Sequence, residues 1–316
     1  MTEPGIRIRV CPTLTGPEVR AALALADAAA RADGAYPFSE HVMLHLRHGG
    51  GHSLHLLAEQ PGSPGLLGYA HLDVSDAAEG PAAELAVSPT ARRRGVGGAL
   101  LDEAVRQAER RPGRLRLWAH GTDAAANELA AAQGFHQVRR LWQLRRSLFS
   151  PLDKVVLPAG VALRTIDPER DLGPVLDLNA RAFVDLPDQA GWTRADLEQR
   201  MAEAWFDPAG FLIADDPAGR LLGFHWTKVH EHDHGRAEAA GGHAHDPIGE
   251  VYVVAVDPSA RGRGLGRTLT LAGLHHLRDR GLSTALLYVD ADNTAAISLY
   301  QSLGFASWDS DTLFRR

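Results

Sequence analysis

Among 316 residues there is one cysteine, Cys11, so no disulfide can close within the chain and a reducing compartment suits it. Cys11 lies at the end of the apparent strand Ile6 to Val10, a context that does not mark a nucleophile. No apolar run reaches the roughly 18 residues that span a bilayer, and no charged segment followed by an apolar one opens the chain. A cytoplasmic location without a membrane partner is therefore expected. Lysine occurs only twice, and the arginines are interleaved with Asp and Glu under a formal net charge of -6. The basic arm that phosphate backbones attract is missing, which argues against nucleic acid as a partner. Also missing is a Gly-Lys-Ser or Gly-Lys-Thr, without which a nucleotide-hydrolase phosphate loop is excluded.

What the chain does have is length for two domains and a pattern written twice. Arg92-Arg93-Arg94-Gly95-Val96-Gly97 matches Arg261-Gly262-Arg263-Gly264-Leu265-Gly266 at an offset of 169. Val87-Ser88-Pro89 against Val256-Asp257-Pro258 keeps that offset, and Gln133-Gly134-Phe135 against Leu303-Gly304-Phe305 stands at 170. Leu67-Gly68-Tyr69 pairs with Leu222-Gly223-Phe224 at 155, so the second copy has gained roughly 14 residues around His230 to His245. Each copy reads as an α/β (α+β) unit on a mixed sheet: residues 1–146 and 161–316, joined by a linker at 147–160 that carries two prolines and no period.

In both copies an apolar strand ends at a proline two residues on, then come the glycines, then a helical spacing of apolar residues such as Leu100, Leu101, Ala104, Val105 and Ala108. Glycines that open a helix let phosphate oxygens approach the backbone, where the N–H groups of the first turn and the positive end of the dipole face them. Arg92 and Arg261 can add charge. A dinucleotide fingerprint fits poorly, because the motif comes late in each copy and not after its first strand.

The Arg-x-x-Gly-x-Gly loops after a strand, with Asn293-Thr294-Ala295-Ala296-Ile297-Ser298-Leu299-Tyr300 and Leu303-Gly304-Phe305, resemble the GNAT acetyltransferase family. That resemblance implies two tandem GNAT domains that use acetyl-CoA as co-substrate. Pantetheine would lie against the backbone of Leu85, Ala86 and Val87 in one copy and of Val254, Ala255 and Val256 in the other. The pyrophosphate would be held by Arg93, Arg94, Gly95, Val96, Gly97 and Gly98, and by Arg261, Gly262, Arg263, Gly264, Leu265, Gly266 and Arg267. Asn293, Thr294, Ala295, Ala296, Ile297 and Ser298 would flank the cofactor. With Gly223-Phe224-His225-Trp226-Thr227-Lys228 and Gly249-Glu250-Val251-Tyr252-Val253-Val254, the chain is similar to actinobacterial tandem members that acetylate the cysteinyl amine of a cysteinyl-glucosaminyl-inositol.

Direct transfer to an amine needs the neutral base, and an α-amino group of pKa about 7.7–8.0 is mostly protonated at pH 7, so a carboxylate helps. Glu250, on the strand that ends at the pantetheine site, is the candidate base. Tyr300 is the candidate donor to the departing sulfur, whose thiol pKa is near 8.5. Carried back by the offsets, Glu250 falls on Pro81 and Tyr300 on Ala130 or Ala131, so the first copy is expected to bind acetyl-CoA without turnover. By resemblance Glu40, Asp188, Lys228, Glu250 and Tyr288 contact the acceptor, a small molecule; at 188 those members carry the longer glutamate. His225, His230, His232, His234, His243 and His245 lack metal-ligand spacing in a Gly- and Ala-rich stretch, and a solvated insert without metal is expected. A monomer is expected. Two other readings stay open: a different amine acceptor, such as an aminoglycoside or a protein N-terminus, and a CoA-sensing module without turnover.

Overall fold

The computed structural model describes residues 5–62, 65–76, 80–121, 124–230 and 247–316. Its first half runs β1 (Arg7–Cys11), α1 (Gly16–Asp33), α2 (Glu40–His48), β2 (Ser53–Glu59), β3 (Gly68–Asp73), β4 (Ala82–Val87), α3 (Val96–Ala108), β5 (Arg116–Ala119), α4 (Ala124–Ala132) and β6 (His136–Ser147). Then come β7 (Ala162–Thr165), α5 (Pro168–Ala182), α6 (Pro187–Ala190), α7 (Arg194–Met201), β8 (Phe211–Asp215), β9 (Leu221–His230), β10 (Ile248–Val256), α8 (Leu265–Asp279), β11 (Thr284–Asp290), α9 (Thr294–Ser302) and β12 (Ala306–Arg315). Among the described residues no helix is long and apolar enough to cross a membrane.

Two compact units result, one of Met1–Trp142 with Asp309–Arg316 and the other of Gln143–Trp308. That division differs from a cut within 147–160. The sheet of the first unit runs β1-β2-β3-β4-β5-β12, and the sheet of the second runs β6-β11-β10-β9-β8-β7. The last strand of the second sequence copy therefore closes the first unit, where Thr312 to Arg315 pair antiparallel with Arg116 to Ala119. Phe314 lies in the same core as Leu56, Leu72, Leu100 and Leu117. Its burial there, worth roughly 1.5–3 kcal/mol, favours this placement over an open sheet edge.

Local chemistry accounts for the elements. Thr15 and Glu18 form a reciprocal capping box at the start of α1, and Gly34, at φ 74°, ends it. The landmark Leu-Gly-aromatic repeat is explained by packing. A Cβ on Gly68 would stand 2.8 Å from Leu100 and one on Gly223 2.8 Å from Leu269, so the bare backbone lets α3 and α8 lie close on their sheets.

Candidate functional site

In the second unit β10 and β11 run parallel only from Ile248↔Thr284 to Glu250↔Leu286, after which β10 continues to Val256 without β11 as its partner. In the first unit β4 and β5 likewise pair only from Ala82↔Arg116 to Glu84↔Trp118. Val254, Ala255 and Val256, and Leu85, Ala86 and Val87, are thus the stretches beyond the point where pairing stops. On the side facing away from β9 and β3, with which these stretches still pair, their backbone N–H and C=O groups have no partner in β11 or β5.

At the end of each of these strands the glycine loops adopt one shape. Gly95 and Gly264 are N-caps of α3 and α8 in the left-handed region, at φ 83° and 80°. Gly262 has φ 75°, and its counterpart Arg93 is forced to φ 61° at a cost of roughly 1–2 kcal/mol for a residue with a Cβ. Successive N–H groups in such a turn form an anion-binding concavity at a helix N-terminus. Behind each loop the packing also repeats: a Cβ on Gly97 would meet Leu129 of α4 and Val87, and one on Gly266 would meet Leu299 of α9 and Val256. Arg267 binds Ser302 Oγ at 2.9 Å, fixing α8 to α9.

Most arginines at the loops are engaged elsewhere; Arg94 donates to Gln60 at 3.1 Å, while Arg93 is largely exposed, 3.9 Å from Glu128. Arg92 makes a paired contact with Asp33 at 2.6 and 2.7 Å, and Arg261 donates to Ala182 O. Arg263 donates to Ala159 O and Arg267 also binds Asp153. Backbone dipoles are therefore the common element of the two loops. Asn293 spends its side chain as the N-cap of α9, accepting from Ala296 N–H at 3.0 Å, and Ser298 donates to Thr294 O. Thr294 to Ile297 form the first turn of that helix.

Glu250 is 7% exposed and sits at the last β10–β11 pair, opposite Lys228 on β9. Its Oε2 lies 2.7 Å from Nε2 of His230. Burial alone would raise the carboxyl, but the contact and charge of His230, with Lys228, outweigh it and hold Glu250 below the ordinary carboxylate value. A bulge interrupts the β9–β10 ladder between Val251 and Val253, next to Glu250. No such shift occurs between β3 and β4. The extra residue moves the equivalence by one: Lys228↔Glu250 corresponds to Asp73↔Ala82, so Ala82, not Pro81, stands where Glu250 does.

Tyr300 packs edge-on against Phe305, and burial pushes its phenol up to about 12. The Phe305 N–H bonds Tyr300 O, as Phe135 N–H bonds Ala130 O, which fixes Ala130 as the first unit's counterpart. Lys228 lies over the rings of Trp205 and Tyr252 at 4.8 and 5.3 Å, and Tyr252 OH accepts from Arg200 Nε at 2.9 Å. Tyr288, on β11, accepts from Gln143 at 2.7 Å. Asp188 lies in α6 of the second unit, and Glu40 opens α2 of the first, after the N-cap Ser39. A shallow hollow of roughly 410 Å³ between α5 and α7 holds none of these residues.

Of the histidines named from sequence, His225 is a core residue. Its Nδ1 lies 2.7 Å from Leu269 O, and burial lowers it to about 4. His232, His234, His243 and His245 fall outside the described residues. Among the described residues no group of three or more His, Cys, Asp or Glu is arranged to hold a metal ion. The partnership of His230 with Glu250 was missed, although Ile248↔His230 in the ladder sets both on one face.

The first unit carries a buried charge cluster that sequence reasoning also missed. Glu84 accepts from Ser39 N–H and Oγ at 2.6 Å each and lies 3.1 Å from His120 Nε2. His120 Nδ1 is 3.0 Å from Asp311 of β12, whose other oxygen accepts from Gly121 N–H. Burial works against charge on the ring, but the two carboxylates raise His120 to about 10. Glu84, despite burial, is held below its ordinary value by His120 and Ser39.

The Acetyltransferase (GNAT) family model matches residues 175–305, and an Acetyltransferase (GNAT) domain model matches residues 51–137. A mycothiol acetyltransferase of Acidothermus cellulolyticus is 51% identical over 297 residues, 93% of this chain and 89% of that protein. One from Thermomonospora curvata is 52% identical over 96% of this chain and 95% of its own. Among solved structures, a tandem GNAT protein from the clavulanic acid biosynthesis pathway superposes with a TM-score of 0.74 at 22% identity, covering 98% of both chains. At that identity the likeness is one of fold.

Proposed function

The chain belongs to the mycothiol acetyltransferases of the GNAT family, and on that premise we propose that its second unit acetylates the cysteinyl amine of a cysteinyl-glucosaminyl-inositol, giving mycothiol. GNAT membership carries acyl-CoA binding with it; acetyl-CoA is the donor in this reading and supplies the acetyl group as a thioester. The observation that carries the proposal is the asymmetry between the units. Both have parting strands and a left-handed glycine loop, whereas Glu250 and Tyr300 are matched in the first unit by Ala82 and Ala130.

Glu250 takes a proton from the ammonium and leaves the neutral amine; its lowered pKa keeps it ionised when acceptor arrives. Backbone N–H groups near Val254 would stabilise negative charge on the acetyl oxygen. Tyr300 donates to the sulfur. A phenol near 12 stays protonated at neutral pH, so it acts by giving a hydrogen bond and not by fully transferring its proton to a thiolate whose conjugate acid is near 8.5. Glu40, Asp188, Lys228 and Tyr288 are assigned to the hydroxyl-rich acceptor, with Lys228 held in place by the Trp205 and Tyr252 rings. The first unit, with its loop intact, binds acetyl-CoA without turnover in this reading.

The test is an assay with acetyl-CoA and cysteinyl-glucosaminyl-inositol that follows both CoA thiol and N-acetylated product. Product formation that falls roughly 100-fold or more in Glu250→Gln and roughly 10- to 100-fold in Tyr300→Phe is the expected result. Absence of product from the unaltered protein would overturn the assignment.

A further inference from the structure

We propose that His230 is the proton outlet of the site, carrying to solvent the proton that Glu250 takes from the amine. The inference rests on the assignment of Glu250 as base. Three observations carry it. Glu250 is buried, its side chain 9% exposed, so a proton left on it meets little water. His230 Nε2 lies 2.7 Å from its Oε2, within reach of direct transfer. The His230 side chain is 44% exposed at the end of β9, so one ring nitrogen faces the carboxylate while the side chain reaches solvent. Among the described residues, the groups facing Glu250 are Lys228, directly across the β9–β10 ladder, and His230; its β11 partner, Leu286, does not titrate. Of these two, the imidazole has a ring nitrogen that can accept a proton and pass another on.

The balance closes. The substrate ammonium loses one proton to the Glu250 carboxylate, which becomes a carboxylic acid. The ring, in its Nδ1–H tautomer, accepts that proton at Nε2, so Glu250 is again a carboxylate and His230 an imidazolium; this ion pair is the state in which the contact and charge of His230 hold Glu250 below its ordinary value. Nδ1 releases its proton to water, and exchange with water restores the starting tautomer. One proton leaves the amine, one enters solvent, and no bond of the acceptor other than N–H has broken.

The experiment compares His230→Gln and His230→Ala with the unaltered protein, and Glu250→Gln as reference, with added imidazole as probe. Glutamine can hydrogen-bond Glu250 but cannot relay a proton. Under the proposal both His230 variants lose roughly 10- to 100-fold in kcat, with the KM for acetyl-CoA unchanged. Imidazole restores His230→Ala in proportion to its neutral form. Loss of the imidazole partner also moves the acid limb of kcat/KM for the amine to higher pH. Full activity in His230→Gln, or a loss in His230→Ala that imidazole does not relieve, overturns the relay while leaving Glu250 as base if Glu250→Gln is inactive. Full activity in Glu250→Gln overturns the base assignment and the relay together. Thermal melts and acetyl-CoA KM values identify any variant that fails to fold, and His230→Gln then decides.

Discussion

Replacing His120 by glutamine isolates the buried cluster of the first unit. In the folded chain His120 is held between Glu84 and Asp311 and stands at about 10, against an ordinary value of 6.5. Over that interval the folded state keeps a proton that the unfolded state has released. Stability contributed by the ring is therefore complete below about pH 6.5, declines by roughly 1.4 kcal/mol per pH unit above it, and is gone beyond about pH 10. The contribution at its fullest is roughly 4–5 kcal/mol, a large fraction of a domain's net stability. Cys11, the single thiol, lies in β1 of the same unit, so its labelling by a brief maleimide pulse in rising urea reports on that unit alone. The difference in urea stability between the unaltered protein and His120→Gln should be greatest near pH 6.5 and shrink steadily toward pH 10. A difference that stays constant over this window would refute the reasoning, because it would mean that the ring is not charged in the fold.

Other consequences follow from glycine positions. A Cβ on Gly273, in the middle of α8, would stand 2.0 Å from the buried His225 ring. Gly273→Ala should therefore lower stability by roughly 2–3 kcal/mol, despite the roughly 1 kcal/mol gained in helix propensity; a higher Tm would contradict it. Gly262→Ala should cost roughly 1–2 kcal/mol and raise the KM for acetyl-CoA, whereas Arg93→Gly should leave stability within roughly 1 kcal/mol, both read by urea titration. Valine at Gly264 and Gly266 should abolish acetyl transfer, and valine at Gly95 and Gly97 should leave much of it. Equal losses from both pairs would remove the proposed division of labour between the units.

Much of the fold was legible because its signals are local. Glycines that must take positive φ, a proline that ends a strand and apolar residues at helical spacing set each loop between strand and helix. The stretches proposed to hold pantetheine lie past the last parallel pair in both units. What escaped depends on partners distant in sequence. Two strands of similar pattern, β6 and β12, do not announce which sheet each will enter, so the closing of the first unit by residues near 312 could not be read. The bulge beside Glu250 leaves no mark in the sequence, and it shifted the equivalence from Pro81 to Ala82. Arg92, read as a charge for phosphate, was claimed by Asp33 from α1. Glu84, His120 and Asp311 are far apart in sequence and meet only because β4, β5 and β12 are neighbours.

The sixth strand of the first sheet has a consequence for synthesis. Domains of nascent chains commonly fold in the order in which they leave the ribosome. Here β1 to β5 emerge while residues 309–315 are still unmade, and until then the β5 edge is bare and His120 lacks Asp311. The first half to be translated is thus the one that must wait longest for its final piece, so that its maturation is timed by completion of the second.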